Sequence, residues 1–180
     1  MKNLTVLIFI LIFSQTCLAE TFDTFIDFQS GMSDGSTFVN GFNVSTSGIQ
    51  GQFRYGWKAA QSIRIGLVGL YENLTVKYST ITLGTLDMLG YGGVARIFLL
   101  PKVFAEGMGG QTKATLRDTQ GSIESIGYGS FYTIGSGVEL ALASELSVEA
   151  GFAVRNVLFP KKEFDNTRSL FFSAGLSFFF

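Results

Sequence analysis

Leu146-Ser147-Val148-Glu149-Ala150-Gly151-Phe152-Ala153-Val154-Arg155 is the stretch whose reading decides the fold. Every even-numbered residue in it is apolar, while the odd positions hold Ser147, Glu149, Gly151, Ala153 and Arg155. A period of two belongs to a strand with one apolar and one polar face, because successive Cβ atoms alternate across the pleat. A helix would scatter the same residues around its circumference.

The alternation recurs on both sides. Downstream, Leu170, Phe172, Ala174, Leu176, Phe178 and Phe180 oppose Ser169, Phe171, Ser173, Gly175, Ser177 and Phe179. Upstream, Tyr132, Ile134, Val138 and Leu140 oppose Thr133, Gly135, Gly137 and Glu139, and Leu89, Tyr91, Ala95 and Ile97 oppose Gly90, Gly92, Val94 and Arg96. Ile63, Ile65, Leu67 and Tyr71 face away from Ser62, Arg64 and Gly66, with Val68 and Leu70 blurring the polar side. Ile49, Gly51, Phe53, Tyr55 and Trp57 oppose Gln50, Gln52, Arg54 and Gly56. Phe22, Ile26 and Phe28 oppose Asp23, Asp27 and Gln29, with Phe25 a misfit. In Val103 to Gln111 the pattern leaves the facing open, but an inward Glu106 would bring Phe104 and Met108 with it.

Eight strands result, joined by links of two lengths. Short ones fall at Lys58 to Gln61, Leu100 to Lys102 and Leu142 to Glu145. Polar segments at Gly31 to Gly48, Glu72 to Gly84, Thr112 to Ser125 and Asn156 to Thr167 are expected to be long loops. Short turns on one side and long loops on the other characterise membrane barrels, and an even strand count returns both termini to the short-turn, periplasmic side.

The chemistry of the two faces selects the solvent. One face is aliphatic and aromatic, with Tyr55, Trp57, Tyr71, Tyr128 and Tyr132 near strand ends, where interfacial aromatic girdles lie. The other carries glycine, serine, Arg54, Arg64, Arg96 and Arg155, together with Asp23, Asp27, Glu106, Glu139 and Glu149. A soluble barrel would carry its charges outside. In lipid an open sheet edge leaves backbone groups unpaired, so the strands must close. The expected fold is all-β, an eight-stranded antiparallel up-and-down transmembrane β-barrel. Asp87 shares parity with Leu89 and Tyr91 and is expected beyond the bilayer, at the outer rim.

Bulk composition agrees. The 180 residues are 15% charged, 47% hydrophobic and 14% aromatic, with mean hydropathy +0.34. A net charge of -1 excludes the basic footprint of a nucleic-acid partner. Lys2, the apolar run Val6 to Phe13 and the ending Cys17-Leu18-Ala19 read as a secretory signal peptide over residues 1–19, leaving 20–180 as the barrel. Cys17, the single cysteine, lies in that leader, so no disulfide is expected in the mature chain. A lipidated Cys17 is the alternative, although Ser14-Gln15-Thr16 lacks the leucine of a lipobox.

The closing residues Leu176, Phe178 and Phe180 resemble the C-terminal signal read by the barrel assembly machinery. Gly90-Tyr91-Gly92-Gly93-Val94-Ala95-Arg96 and Gly135-Ser136-Gly137-Val138-Glu139 look like segments of small barrels of the outer membrane protein A and X type. The resemblance covers the mature chain. It implies insertion by that machinery into the outer membrane of a Gram-negative bacterium, with outer-membrane lipid and lipopolysaccharide as neighbours.

An eight-stranded ring has an interior only wide enough for its own side chains. Glu106, Glu139 and Glu149 are therefore expected to pair inside with Arg54, Arg64, Arg96 and Arg155, and Gly66, Gly135, Gly137 and Gly151 to leave room for the arginines. The chain has no histidine, which removes His-based acyl transfer and, with no cysteine beyond the leader, the usual metal ligands. Neither catalysis nor a cofactor is expected. The reading is a structural or surface-interaction barrel whose loops, with Lys113, Arg117, Asp118, Lys161, Lys162, Glu163 and Asp165, meet a surface ligand of unspecified kind or lipopolysaccharide phosphates. A narrow channel or conduit for small solutes or apolar molecules is the alternative, and a lipid-modifying enzyme the third.

Overall fold

The computed structural model describes residues 24–39, 41–160 and 164–180, without the side chains of residues 164 and 165. The leader at residues 1–19 and the expectations placed on Asp23, Lys161, Lys162, Glu163 and Asp165 lie outside what is described.

Eight strands follow one another: β1 (Thr24–Val39), β2 (Phe42–Ala60), β3 (Ile63–Tyr78), β4 (Ile81–Leu100), β5 (Val103–Asp118), β6 (Ile123–Ala143), β7 (Leu146–Leu158) and β8 (Phe164–Phe179). Each is antiparallel to its neighbours, and β8 pairs with β1 to close the barrel. At the seam Thr24 and Phe180 exchange two backbone hydrogen bonds, 3.2 and 3.0 Å long. No strand presents a free edge, which is what a lipid surround demands.

The register fixes the shape. From Asp27 the rungs run to Arg54, Val68, Gly92, Gly110, Phe131, Val157, Thr167 and back to β1 at Thr37, ten residues further on. A stagger of that size over eight strands tilts them by about 40° to the barrel axis. Each residue then climbs about 2.5 Å, so the 16 residues of β1 rise about 40 Å. An outer-membrane apolar band is only about 25 Å tall.

The excess height corrects the expectation of long loops. Gly31 to Val39 and Phe42 to Gly48 are strand, with a turn at Gly41, and Glu72 to Gly84 is strand except at Ser79 and Thr80. Thr112 to Ser125 breaks only at residues 119–122, and β7 and β8 continue through Leu158 and from Phe164. The Asn, Ser and Thr residues that suggested loops largely form the solvated outer face of extended strands. Val44, Leu74 and Val76 point inward from the same segments, joined by Leu86 and Met88 of β4, and give them a core. Gly41 (φ 82°) and Ser79 (φ 56°) take the left-handed conformation that tight reversals require.

The assigned facing holds along every strand. Phe25 turns inward and is 3% exposed, and the facing of β5 is settled, with Phe104, Glu106 and Met108 all inside.

Candidate functional site

The periplasmic half of the lumen holds the charges. Arg54 (β2) donates to Glu106 (β5) at 2.8 Å and lies 3.7 Å from Glu149 (β7). Arg96 (β4) meets Glu149 at 2.5 Å, Glu106 at 3.0 Å and Glu139 (β6) at 3.3 Å. Arg64 (β3) grips Glu139 with two bonds of 2.6 and 2.9 Å. Asp27 stands 4.0 Å from both Arg54 and Arg96. Gln29 donates to Glu149 and accepts from Arg54, and Gln52 accepts from Arg54 at 2.9 Å. Each of these arginines reaches a carboxylate three strands around the ring, so the network braces the barrel from wall to wall.

Aromatic rings support it. The Arg96 guanidinium lies 3.8 Å from the centre of the Phe104 ring, and that of Arg64 lies 4.6 Å from the rings of Phe98 and Phe179. Such stacking favours a cation held away from water. The inward glycines make space for the rings rather than for the arginines themselves. A Cβ on Gly137 would stand 2.5 Å from Cζ of Phe104, one on Gly56 2.8 Å from Cζ of Phe25, and one on Gly110 2.9 Å from Cε1 of Phe131. Gly135 meets the Ala153 side chain, and Gly66 and Gly151 meet neighbouring backbone.

The outer half of the lumen is different. Val44, Val68, Leu70, Leu74, Val76, Leu86, Met88, Met108, Ile126, Phe131, Val157 and Phe159 form a continuous apolar core there. Val68 and Leu70, which blurred the polar face of their strand, belong to it. Within this layer Arg155 (β7) pairs at 2.7 Å with Glu72 (β3), both side chains fully buried. That corrects the expected pairing of Arg155 with Glu106, Glu139 or Glu149. Glu72, in the segment expected to be a loop, lies on β3, which runs on to Tyr78 and carries it inward to Arg155. A cavity beside Gln29, Phe104 and Glu106 measures about 10 Å³, at the threshold for a single water.

Outside, the barrel wears a belt. Phe28, Met32, Ile49, Leu67, Leu89, Ile134, Phe152, Phe172 and Leu176 are all exposed. Of the expected girdle, Tyr55 and Trp57 lie at the periplasmic end in an edge contact of 5.5 Å, and Tyr71 and Tyr132 lie at the outer limit. Tyr128 stands two outward positions beyond Tyr132. Tyr91, 65% exposed, joins the outer row. Leu176, Phe178 and Phe180, the residues of the expected terminal signal, face outward as well. On every strand the next outward position beyond the belt is polar: Asp34, Ser47, Asn73, Asp87, Gln111, Ser130, Asn156 and Arg168. Asp87 accepts hydrogen bonds from Asn73 (2.5 Å) and Tyr71 (3.2 Å) in that collar.

A closed ring of tilted strands with an apolar belt, aromatic borders and a polar collar fits a bilayer and no other solvent. Solved structures share the fold. Neisserial surface protein A superposes with a TM-score of 0.58 at 16% identity, over 85% of this chain and 96% of that one. The outer membrane protein AlkL, determined in lipid bilayers, gives 0.57 at 13% identity over 90% and 94%. Ail, the attachment invasion locus protein of Yersinia pestis, gives 0.50 at 14% over 88% and 100%.

The fold is that of the small outer-membrane β-barrels.

No protein-family model and no curated protein matches the sequence. This outer-membrane barrel thus shares architecture with those structures, and its lumen must be read from its own residues. Sequence reasoning missed Glu72 and Phe131, and it put Gln29, Gln52 and Phe171 on the inner face without seeing their part in the charged and aromatic packing there. The parity of Glu72 with Arg64, Val68 and Leu70 was the signal that could have found it.

Proposed function

We propose that this protein is a non-catalytic surface barrel of the Gram-negative outer membrane. It is a sealed, cross-braced cylinder that carries the outer ends of its strands well beyond the lipid and presents them for contact. The observation that carries this reading is the apolar set at the outer ends of the first two hairpins. Phe38, Phe42, Tyr78, Ile81 and Leu83 are all at least 40% exposed, although they lie above the polar collar. Phe42 and Tyr78 pack edge-on there, with ring centres 6.0 Å apart. Apolar side chains clustered in water mark an interaction surface. Contact is made by short, rigid hairpin ends rather than by long loops.

Against a conduit stand the two filled layers of the lumen, one ionic and one apolar. Against a lipid-modifying enzyme stands the absence of histidine. Biogenesis follows from the terminal strand, whose outward Leu176, Phe178 and Phe180 would be read by the barrel assembly machinery. Planar-bilayer recording together with a surface-adhesion assay tests the proposal. Wild-type protein should give no unitary conductance, and cells displaying Phe42→Ser, Tyr78→Ser, Ile81→Ser barrels should lose adhesion that wild type confers. Reproducible conductance abolished by substituting lumen residues would replace this reading with the channel.

A further inference from the structure

We propose that the outer wall formed by β8, β1, β2 and β3, just above the apolar belt, binds the phosphorylated saccharide headgroup of the outer leaflet's own glycolipid. This deepens the reading above and depends on it only for the barrel's place in the outer membrane.

The site is a single rung of the sheet. Arg168 pairs with Ser36, Ser36 with Ser45, and Ser45 with Lys77, all four on the outward face. Two cations thus flank two hydroxyls across three strand spacings, about 14 Å. Arg168 lies on the collar directly beyond Leu170, while Ser36 and Ser45 lie one outward position above Asp34 and Ser47. Lys77 lies two outward positions above Asn73, and each outward step is about 5 Å along the axis, so the rung climbs about 10 Å from the collar through headgroup depth, where a charged sugar and not an acyl chain would meet it.

A depression of about 490 Å³ opens beside the rung, lined among others by Ser36, Asn43, Ser45, Lys77, Tyr78 and Ser79. That volume is within the range of small-ligand sites. The Asn43 amide and the Ser36 and Ser79 hydroxyls offer donors and acceptors for sugar hydroxyls, and the Tyr78 ring offers a face. Ser45 donates to the Lys77 carbonyl at 3.2 Å, which holds the rung together. Neither Lys77 nor Arg168 has an ion-pair partner among the described residues. A guanidinium suits a phosphate through two parallel bonds and an ammonium suits it as a point charge. Asp34 lies in the collar two residues below Ser36 and diagonal to Arg168, and no carboxylate lies on the rung itself.

The opposite wall lacks this arrangement. There Lys113 and Arg117 straddle Thr115, whose rung partner is Asp87, so a carboxylate sits between the cations.

The test uses the full barrel refolded into nanodiscs of phosphatidylethanolamine with a minor fraction of bisphosphorylated lipid A, counting retained lipid A by native mass spectrometry. Wild type should retain lipid A, and Lys77→Gln/Arg168→Gln should lower retention at least ten-fold. Lys113→Gln/Arg117→Gln should leave it unchanged, and dephosphorylated lipid A should be retained as poorly as by the double variant. Ser45→Glu keeps both cations and repels phosphate, so it must also lower retention if the double variant fails to fold. Equal retention by wild type and Lys77→Gln/Arg168→Gln, or of lipid A with and without phosphate, overturns the proposal. So does full displacement by millimolar inorganic phosphate, which would make this a free-anion site. No adhesion partner is present in the nanodisc, so failure of the apolar hairpin ends to bind anything leaves these readouts unmoved.

Discussion

Arg155 on β7 spans the full width of the ring to Glu72 on β3, the strand diametrically opposite, and the two meet at 2.7 Å inside an apolar layer. Removing either partner leaves a lone charge in a setting with no water. Glu72→Gln or Arg155→Met should each lower the unfolding free energy by about 3–5 kcal/mol. Replacing both with apolar residues, Glu72→Leu with Arg155→Met, should recover most of that loss. Denaturant titration in detergent micelles measures all three, and equal losses for the single and double variants would argue against a pair.

Arg96 is the hub of the lower network, touching Glu106, Glu139 and Glu149 together. Arg64 serves only Glu139 and is 14% exposed. Arg96→Met should therefore cost more than Arg64→Met, by a margin on the order of 1–2 kcal/mol, because it strands several carboxylates at once. The same titration ranks them, and the reverse order would show that the network is not centred on Arg96.

Gly137 tests the claim that inward glycines house aromatic rings. Gly137→Ala drives a methyl into Phe104, the ring beneath Arg96, and overpacking of this kind costs about 1–3 kcal/mol. Gly107 faces outward with nothing within 4 Å of its would-be Cβ. Gly107→Ala should thus leave the midpoint unchanged, and a matching loss at both positions would point to strand propensity instead of packing.

Phe180 separates targeting from folding. Its side chain is 74% exposed, while its backbone bonds to Thr24 do not depend on the side chain. Phe180→Ala should fold from urea into detergent as wild type does, shown by the gel shift between boiled and unboiled samples. In cells its accumulation in the outer membrane should fall several-fold. Equal loss in both settings would make the residue structural.

Much of this was legible in the chain. Leu146 to Arg155 and Leu170 to Phe180 alternate so strictly that strand, face and solvent all follow, because one residue of slippage would turn arginines to lipid. Five members of the ionic network, Arg54, Arg64, Arg96, Glu139 and Glu149, are identifiable by parity alone, whereas the inward facing of Glu106 is not fixed by its strand's pattern. Strand ends were not. Ser, Thr and Asn on the outward face of an extended strand look like loop residues when the apolar residues between them are not known to face a core.

The sequence by itself determined that eight strands alternate, which face meets lipid and where the chain ends its closing strand, since period and polarity are local properties. Only the tertiary structure decided who meets whom across the ring. The ten-residue stagger brings Arg155 level with Glu72 rather than with Glu106, four strands turn outer polar segments into a walled rung from Arg168 to Lys77, and closure stacks an apolar core upon an ionic one. Those relations depend on ring size and shear, quantities that belong to the closed sheet and to no single strand.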